Sequence, residues 1–136
     1  MSEAFDHYLS PGCPYYIERE KITPQMSVSL ITSTGGIPVL AHPMLYHLSD
    51  AQLKELILAL KPLGLMGIEA VYSTYSEEET AYVRNLAYET DLCLSGGSDF
   101  HGANKPGLDL GCGYGQLTVP YEFLDRLRER RQHYEH

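Results

Sequence analysis

Four residues of this 136-residue sequence have the type and placement to do chemistry: His42, Glu69, Asp99 and His101. Asp99 and His101 form the sharpest pair. On an extended segment an Asp-x-His turns both side chains to one side, so that oxygen and imidazole can face one metal ion or two adjacent ions. His42 follows directly on the apolar run IPVLA at 37–41, and Glu69 lies inside a second apolar run, MGIEAV at 66–71. A carboxylate in such a setting must be paired or liganded. Imidazole with carboxylate suits Zn²⁺, Mn²⁺ or Fe²⁺. Two or more ions held this way can grip a phosphate ester and generate hydroxide near neutral pH. Each residue also has a plain alternative: ordinary loop contacts for Asp99 and His101, a hydrogen-bonded structural histidine for His42, a structural or substrate-side partner for Glu69.

Other candidates are thinner. Arg19, in YYIEREKITP, could grip a phosphate with its bidentate guanidinium or could be a surface arginine. Gly111-Cys112-Gly113-Tyr114-Gly115 does not lie between a strand and a helix, so it is weak as a nucleotide loop. His7, His47, His133 and His136 lack comparable context, and Glu77 to Glu79 read as a solvated helix start.

The elements that must position these residues alternate. Residues 1–22 read as a short helix at most, followed by a loop. Thr23-Pro24 starts a helix that stops at Gly35-Gly36, because Thr caps well and Pro suits the first helical position. A strand is expected at 37–41. Ser49-Asp50 caps a helix with Leu53, Leu56, Ile57 and Leu60 at helical spacing, ended by Pro62 and Gly64. A second strand follows at 66–71. Ser76 with three glutamates begins a helix running to Thr90, and a third strand is expected at 92–95. Gly96 and Gly97 then read as a tight turn beside the ligands. After a glycine-rich stretch at 102–115, an amphipathic helix over 121–131 closes the chain. Short connections between alternating elements predict an α/β fold with parallel strands, reactive groups gathering beyond the strands' carboxyl ends.

Composition narrows the partners. A formal charge of −8 argues against a broad duplex-DNA face, although bound metal could still present positive charge to a small anionic substrate. No apolar run reaches the roughly 18–20 residues that cross a bilayer. The start, MSEAFDHYLSPG, lacks a basic head and an apolar core, so no membrane and a cytoplasmic location are expected. Three widely spaced cysteines form neither a disulfide framework nor a CxxC zinc motif.

Three runs in order, GGIPVLAHP (35–43), GIEAVYSTYS (67–76) and SGGSDFHG (95–102), resemble the C-terminal half of the polymerase-and-histidinol-phosphatase (PHP) superfamily. The upstream stretch YYIEREKITPQMSVSLI extends the likeness over nearly the whole chain. The nearest group is the bacterial stand-alone PHP phosphoesterases, which includes nucleoside 3′,5′-bisphosphate phosphatases and 5′→3′ exoribonucleases. The resemblance implies a distorted seven-stranded β/α barrel with a three-metal centre at the strand ends. His42 matches the third-motif histidine ligand, and Asp99 and His101 match the fourth-motif pair. Glu69 lies in a motif typical of the group without being matched to a ligand. No H-x-H precedes residue 42, so the N-terminal metal motifs are absent.

The expectation is therefore one domain over residues 1–136, the C-terminal portion of a PHP domain and part of a barrel. Its complete form would be a metal-dependent phosphoesterase (Mn, Zn or Fe) acting on phosphate monoesters of nucleotides or on short RNA. The alternative is a non-catalytic metal- or ligand-binding α/β remnant that pairs with another chain. A half barrel leaves open sheet edges and an uncovered interior, so self-association or pairing with a complementary N-terminal half is expected.

Overall fold

The computed structural model describes residues 7–8, 10–13, 15–16 and 21–134. Arg19 and much of the 1–22 segment lie outside the described residues. Helix α1 (Pro24–Ser33) starts as its sequence directs: the Thr23 hydroxyl accepts the Met26 N–H at 3.2 Å, with Pro24 in the first turn. Helices α2 (Asp50–Leu60) and α3 (Glu77–Glu89) both begin with complete capping boxes, Ser49 with Gln52 and Ser76 with Glu79. Strands β1 (Val39–Leu40), β2 (Gly67–Tyr72) and β3 (Cys93–Gly97) form an open three-stranded parallel sheet in the order β1-β2-β3.

Ile68 and Ala70 of β2 are fully buried against Val28 of α1, Leu53, Ile57 and Leu60 of α2, and Val83 and Leu86 of α3. Leu53, Ile57 and Leu60 lie on one stripe of α2, so a single helix face meets the sheet. Removing Ile57 or Val83 from water contributes roughly 1.5–3 kcal/mol each. This layer fixes where each strand ends.

Two strands differ from expectation. β1 is shorter than 37–41 because Pro38 has no N–H to give to a ladder. Its carbonyl still accepts from Met66 N at 3.0 Å and Gly67 N at 3.2 Å. β3 runs on through Gly96 and Gly97, where a turn was expected. A methyl group on Gly96 would sit 2.8 Å from the Val71 carbonyl oxygen, so glycine serves close strand approach there and not a turn.

Helix α4 (Glu122–Tyr134) packs along β3, and its buried Leu127 reaches the sheet face opposite the core helices. There a Cβ on Gly67 would lie 3.0 Å from the Leu127 side chain. The inner face, expected to be bare, is thus partly covered at its lower end. Arg84 of α3 lies over the Phe123 ring at 5.6 Å, and Arg130 grips Asp91 with two bonds of 2.8 and 2.9 Å. Among the described residues, no helix is long and apolar enough to cross a membrane.

The Arg130 guanidinium holds the Asp91 carboxyl down at about 2. A lowered carboxylate stabilises the fold above its unfolded value, about 3.9, and that stability is lost as pH falls through 2. The pair is exposed enough that the effect stays under about 1 kcal/mol. Arg130→Ala should be slightly less stable than the parent at pH 6, and urea unfolding curves of the two should converge between pH 4 and 2. A constant gap across that range would contradict it.

Candidate metal centre

His42 and Asp99 lie just beyond the carboxyl ends of β1 and β3, as in other parallel α/β sites, and Glu69 stands in the middle of β2 between them. Beyond β1 the chain turns at once. His42 takes the left-handed conformation (φ 31°) and its N–H donates to Glu69 Oε2 at 2.6 Å. The turn is held by Tyr46, whose hydroxyl donates to the Ala41 carbonyl at 2.7 Å, and by Tyr75, whose hydroxyl accepts the Met44 N–H at 3.1 Å. Glu69 is thus tied to backbone, which answers how a carboxylate is tolerated in an apolar strand.

A bulge shapes the centre. β2 pairs Glu69 with Ser95 and then Val71 with Gly96, leaving Ala70 as an extra residue without a partner in β3. In a regular strand Tyr72 would face away from Glu69; one extra residue reverses the alternation. The Tyr72 ring accordingly lies 5.7 Å from the His42 ring and 5.2 Å from the Tyr75 ring, and its hydroxyl donates to Asp99 Oδ2 at 2.8 Å. Gly97, opposite Tyr72, leaves room for Glu69: a Cβ there would stand 3.2 Å from Glu69 Oε1.

Asp99 also has left-handed backbone (φ 55°), so the Asp-x-His segment is kinked and not extended as the sequence suggested. The kink still brings the two side chains together. His101 Nδ1 lies 2.8 Å from the Asp99 carbonyl oxygen and 3.3 Å from its Oδ1. A carbonyl only accepts, so Nδ1 carries the hydrogen and the exposed ring keeps Nε2 free as a donor atom for a metal. His42 and Asp99, after the two strands that flank β2, are two of the four described non-glycine residues with positive φ, the others being His47 and Asp91.

The electrostatics follow from burial and partners. The ammonium of Lys105 bonds Asp99 Oδ2 and, with the Tyr72 hydroxyl, holds the Asp99 carboxyl below its usual range. Burial pushes Glu69 upward, with the Asp99 charge adding to it and the His42 N–H opposing. Burial also raises Tyr72, Tyr75 and Tyr46, so all three hydroxyls stay protonated near neutral pH.

Among the described residues, His42 Nδ1 is buried with no hydrogen-bond partner. A buried lone pair or N–H left unsatisfied is costly, and a metal ion is one group that would satisfy the lone pair. The donors present fit a divalent metal in kind: an imidazole nitrogen without a partner, a second imidazole with its tautomer fixed, and two carboxylates. They fall short in number, since among the described residues no three His, Cys, Asp or Glu side chains converge as a metal-holding group.

Of the residues singled out by sequence, the structure brings Asp99 and His101 into direct contact. It links His42 to Glu69 by a hydrogen bond and to Asp99 through Tyr72. Tyr72, Tyr75 and Lys105 were not singled out. Both tyrosines stand in the GIEAVYSTYS run, whereas Lys105, in the glycine-rich loop, carries no signal that sequence reading could use.

No family model matches the chain. It is 32% identical over 111 residues to the 3′,5′-nucleoside bisphosphate phosphatase of Chromobacterium violaceum, covering 82% of this chain and 39% of that protein. It is 30% identical over 123 residues to a 5′-3′ exoribonuclease of Haemophilus influenzae, covering 90% and 42%. Among solved structures, an amidohydrolase from C. violaceum with bound sulfate and no metal superposes with TM-score 0.66 at 29% identity. A metal-dependent phosphoesterase from Bifidobacterium adolescentis superposes with TM-score 0.62 at 30% identity. Each structural match covers 95% of this chain and 44% of the other. The chain thus spans about two-fifths of the length of the relatives it matches. These similarities agree with the resemblance to the PHP family, and the partial coverage fits the C-terminal half of that fold.

The bulge depends on Gly96 lying against Val71. Gly96→Ala would put a methyl group 2.9 Å from Val71 Cβ as well as 2.8 Å from its carbonyl oxygen. It is expected to lower the unfolding free energy by about 1–3 kcal/mol in urea titration. A loss below about 0.5 kcal/mol would mean that the strands do not approach this closely.

Proposed function

We propose that this chain supplies the C-terminal part of a divalent-metal phosphoesterase centre, its sheet forming one arc of a seven-stranded barrel. The substrate class is phosphate monoesters of nucleotides, or short RNA. The observation that carries this reading is the buried, unpartnered His42 Nδ1 on the face shared with Glu69 and Asp99. His42, Asp99 and His101 would each contribute a ligand to the centre without completing the ligand set of one ion among the described residues. Bound Mn²⁺, Zn²⁺ or Fe²⁺ supplies Lewis acidity toward a phosphoryl oxygen and lowers the pKa of water. The surrounding residues do the positioning. Tyr72 fixes the Asp99 carboxylate, and Glu69 fixes the backbone of His42 while its carboxylate stays on the substrate side of the sheet. Arg19 is a candidate phosphate contact. Further donors come from outside the described residues, and the open edge of β1 favours pairing with a complementary N-terminal half or a second copy.

A second reading, a non-catalytic metal- or ligand-binding unit, is favoured by the incomplete donor set. Metal analysis combined with hydrolysis of a nucleoside 3′,5′-bisphosphate separates the two. Metal retained by the parent chain together with phosphate release above background would rule out the non-catalytic reading. Asp99→Ala should lower metal affinity and activity by at least about 100-fold, because even residues that merely support a ligand cost 10–100-fold. Metal retained without hydrolysis supports the non-catalytic reading. No metal in the parent chain would sink both metal readings.

A further inference from the structure

The run Gly111-Cys112-Gly113-Tyr114-Gly115 takes no part in the strand-end cluster, yet it is firmly built. Asp109 and Gly113 exchange two backbone hydrogen bonds, of 2.8 and 3.1 Å. The Cys112 carbonyl accepts from Gly115 N at 2.8 Å and from Leu117 N at 3.1 Å. Gly113 has φ 60°, and a Cβ there would stand 2.6 Å from Ser73 Oγ. Glycine thus lets the segment lie directly on the chain leaving β2. Residues 114 and 116–118 form one wall of a cavity of about 500 Å³, walled otherwise by the end of β2 and by α3. That volume lies in the range of small-ligand pockets.

The walls are one-sided in charge. Arg84 of α3 is the charged residue among them, and no carboxylate lines the cavity, in a chain with 18 acidic and 10 basic residues. The Arg84 guanidinium lies over the Phe123 ring at 5.6 Å, a contact that restrains it without using its N–H groups. Among the described residues it meets no carboxylate. Thr80, Tyr114, Gln116 and Thr118 add hydroxyl and amide groups, and their side chains make no hydrogen bond to other described residues. Tyr72 and Tyr75 add aromatic surface beside that of Tyr114. Tyr72 also donates to Asp99, so the cavity adjoins the strand-end cluster.

We infer that this cavity is a nucleotide subsite in which Arg84 pairs with the phosphate. The guanidinium fork matches two phosphate oxygens, and the neighbouring hydroxyl and amide groups suit the others. The tyrosines suit the base, since aromatic rings hold bases without regard to sequence. The choice of a nucleotide rests on the proposed substrate class, whereas the cavity and its charge stand without it. Binding there needs no metal ion.

The test is calorimetric titration of the full chain with adenosine 5′-monophosphate and, separately, with inorganic phosphate, both in the presence of a chelator. The variants are Arg84→Met, Tyr114→Ala and the control Arg126→Met, whose guanidinium pairs with Glu122 on the exposed side of α4. Circular dichroism checks that each variant folds, and Tyr114 is exposed enough for its loss to leave the fold intact. The parent should bind the nucleotide. Arg84→Met should weaken both ligands at least about tenfold, the lower end of what a charged hydrogen bond contributes. Tyr114→Ala should weaken the nucleotide about fivefold or more and leave inorganic phosphate unchanged. Arg126→Met should match the parent. No nucleotide binding in the parent, or binding that survives Arg84→Met, overturns the subsite. An equal loss in Arg126→Met means general charge attraction and overturns it as well. Nucleotide binding unchanged in Tyr114→Ala overturns the placing of the base. Failure here leaves the metal reading intact, because the titration contains no free metal and that reading is tested by Asp99→Ala.

Discussion

One unpaired residue in β2 decides what the inner face of the sheet can do. Strand side chains alternate, so without Ala70 as an extra residue Tyr72 would join Ile68 on the helix side, far from Asp99. With it, Tyr72 lies within ring contact of His42 and donates its hydroxyl to Asp99. The bulge thus links the ends of three strands into one polar cluster. It is possible because β3 offers glycine twice: Gly96 lets Val71 come close, and Gly97 leaves space for the Glu69 carboxylate.

The core and the cluster pull in different directions, and the fold separates them by face. Helices α1 to α3 bury Ile68 and Ala70 and hold the strand ends in place. The polar residues stand on the opposite face with left-handed backbone at His42 and Asp99. Conformations of this kind cost about 1–3 kcal/mol each and persist only where surrounding structure over-determines them. Here that structure is the Glu69 bond to the His42 N–H, the tyrosines 46 and 75 around the first turn, and Tyr72 with Lys105 around the second.

Much of the fold was legible because its signals are local. Thr23, Ser49 and Ser76 cap helices where expected, and the alternation of helix and strand gives a parallel sheet in chain order. Strand limits were less legible, since Pro38 shortens β1 by withholding a donor and Gly96 and Gly97 extend β3 by close approach, neither of which a propensity scale encodes. Of the site, His42, Glu69, Asp99 and His101 stood out by type and by following or lying in apolar runs. The bulge was invisible, because it depends on the register between two strands and not on either alone. Tyr72 and Lys105 therefore did not stand out from the sequence.

The central claim is that the bulged register aims Tyr72, His42 and Asp99 at a common metal-binding face. A crystal structure grown with Mn²⁺, with an anomalous difference map, addresses it directly. The expected result is a peak bonded to His42 Nδ1, with Tyr72 on the Glu69 side of β2 and Ala70 unpaired. A regular β2–β3 register, or Mn²⁺ bound only elsewhere with His42 Nδ1 still without a partner, would contradict it.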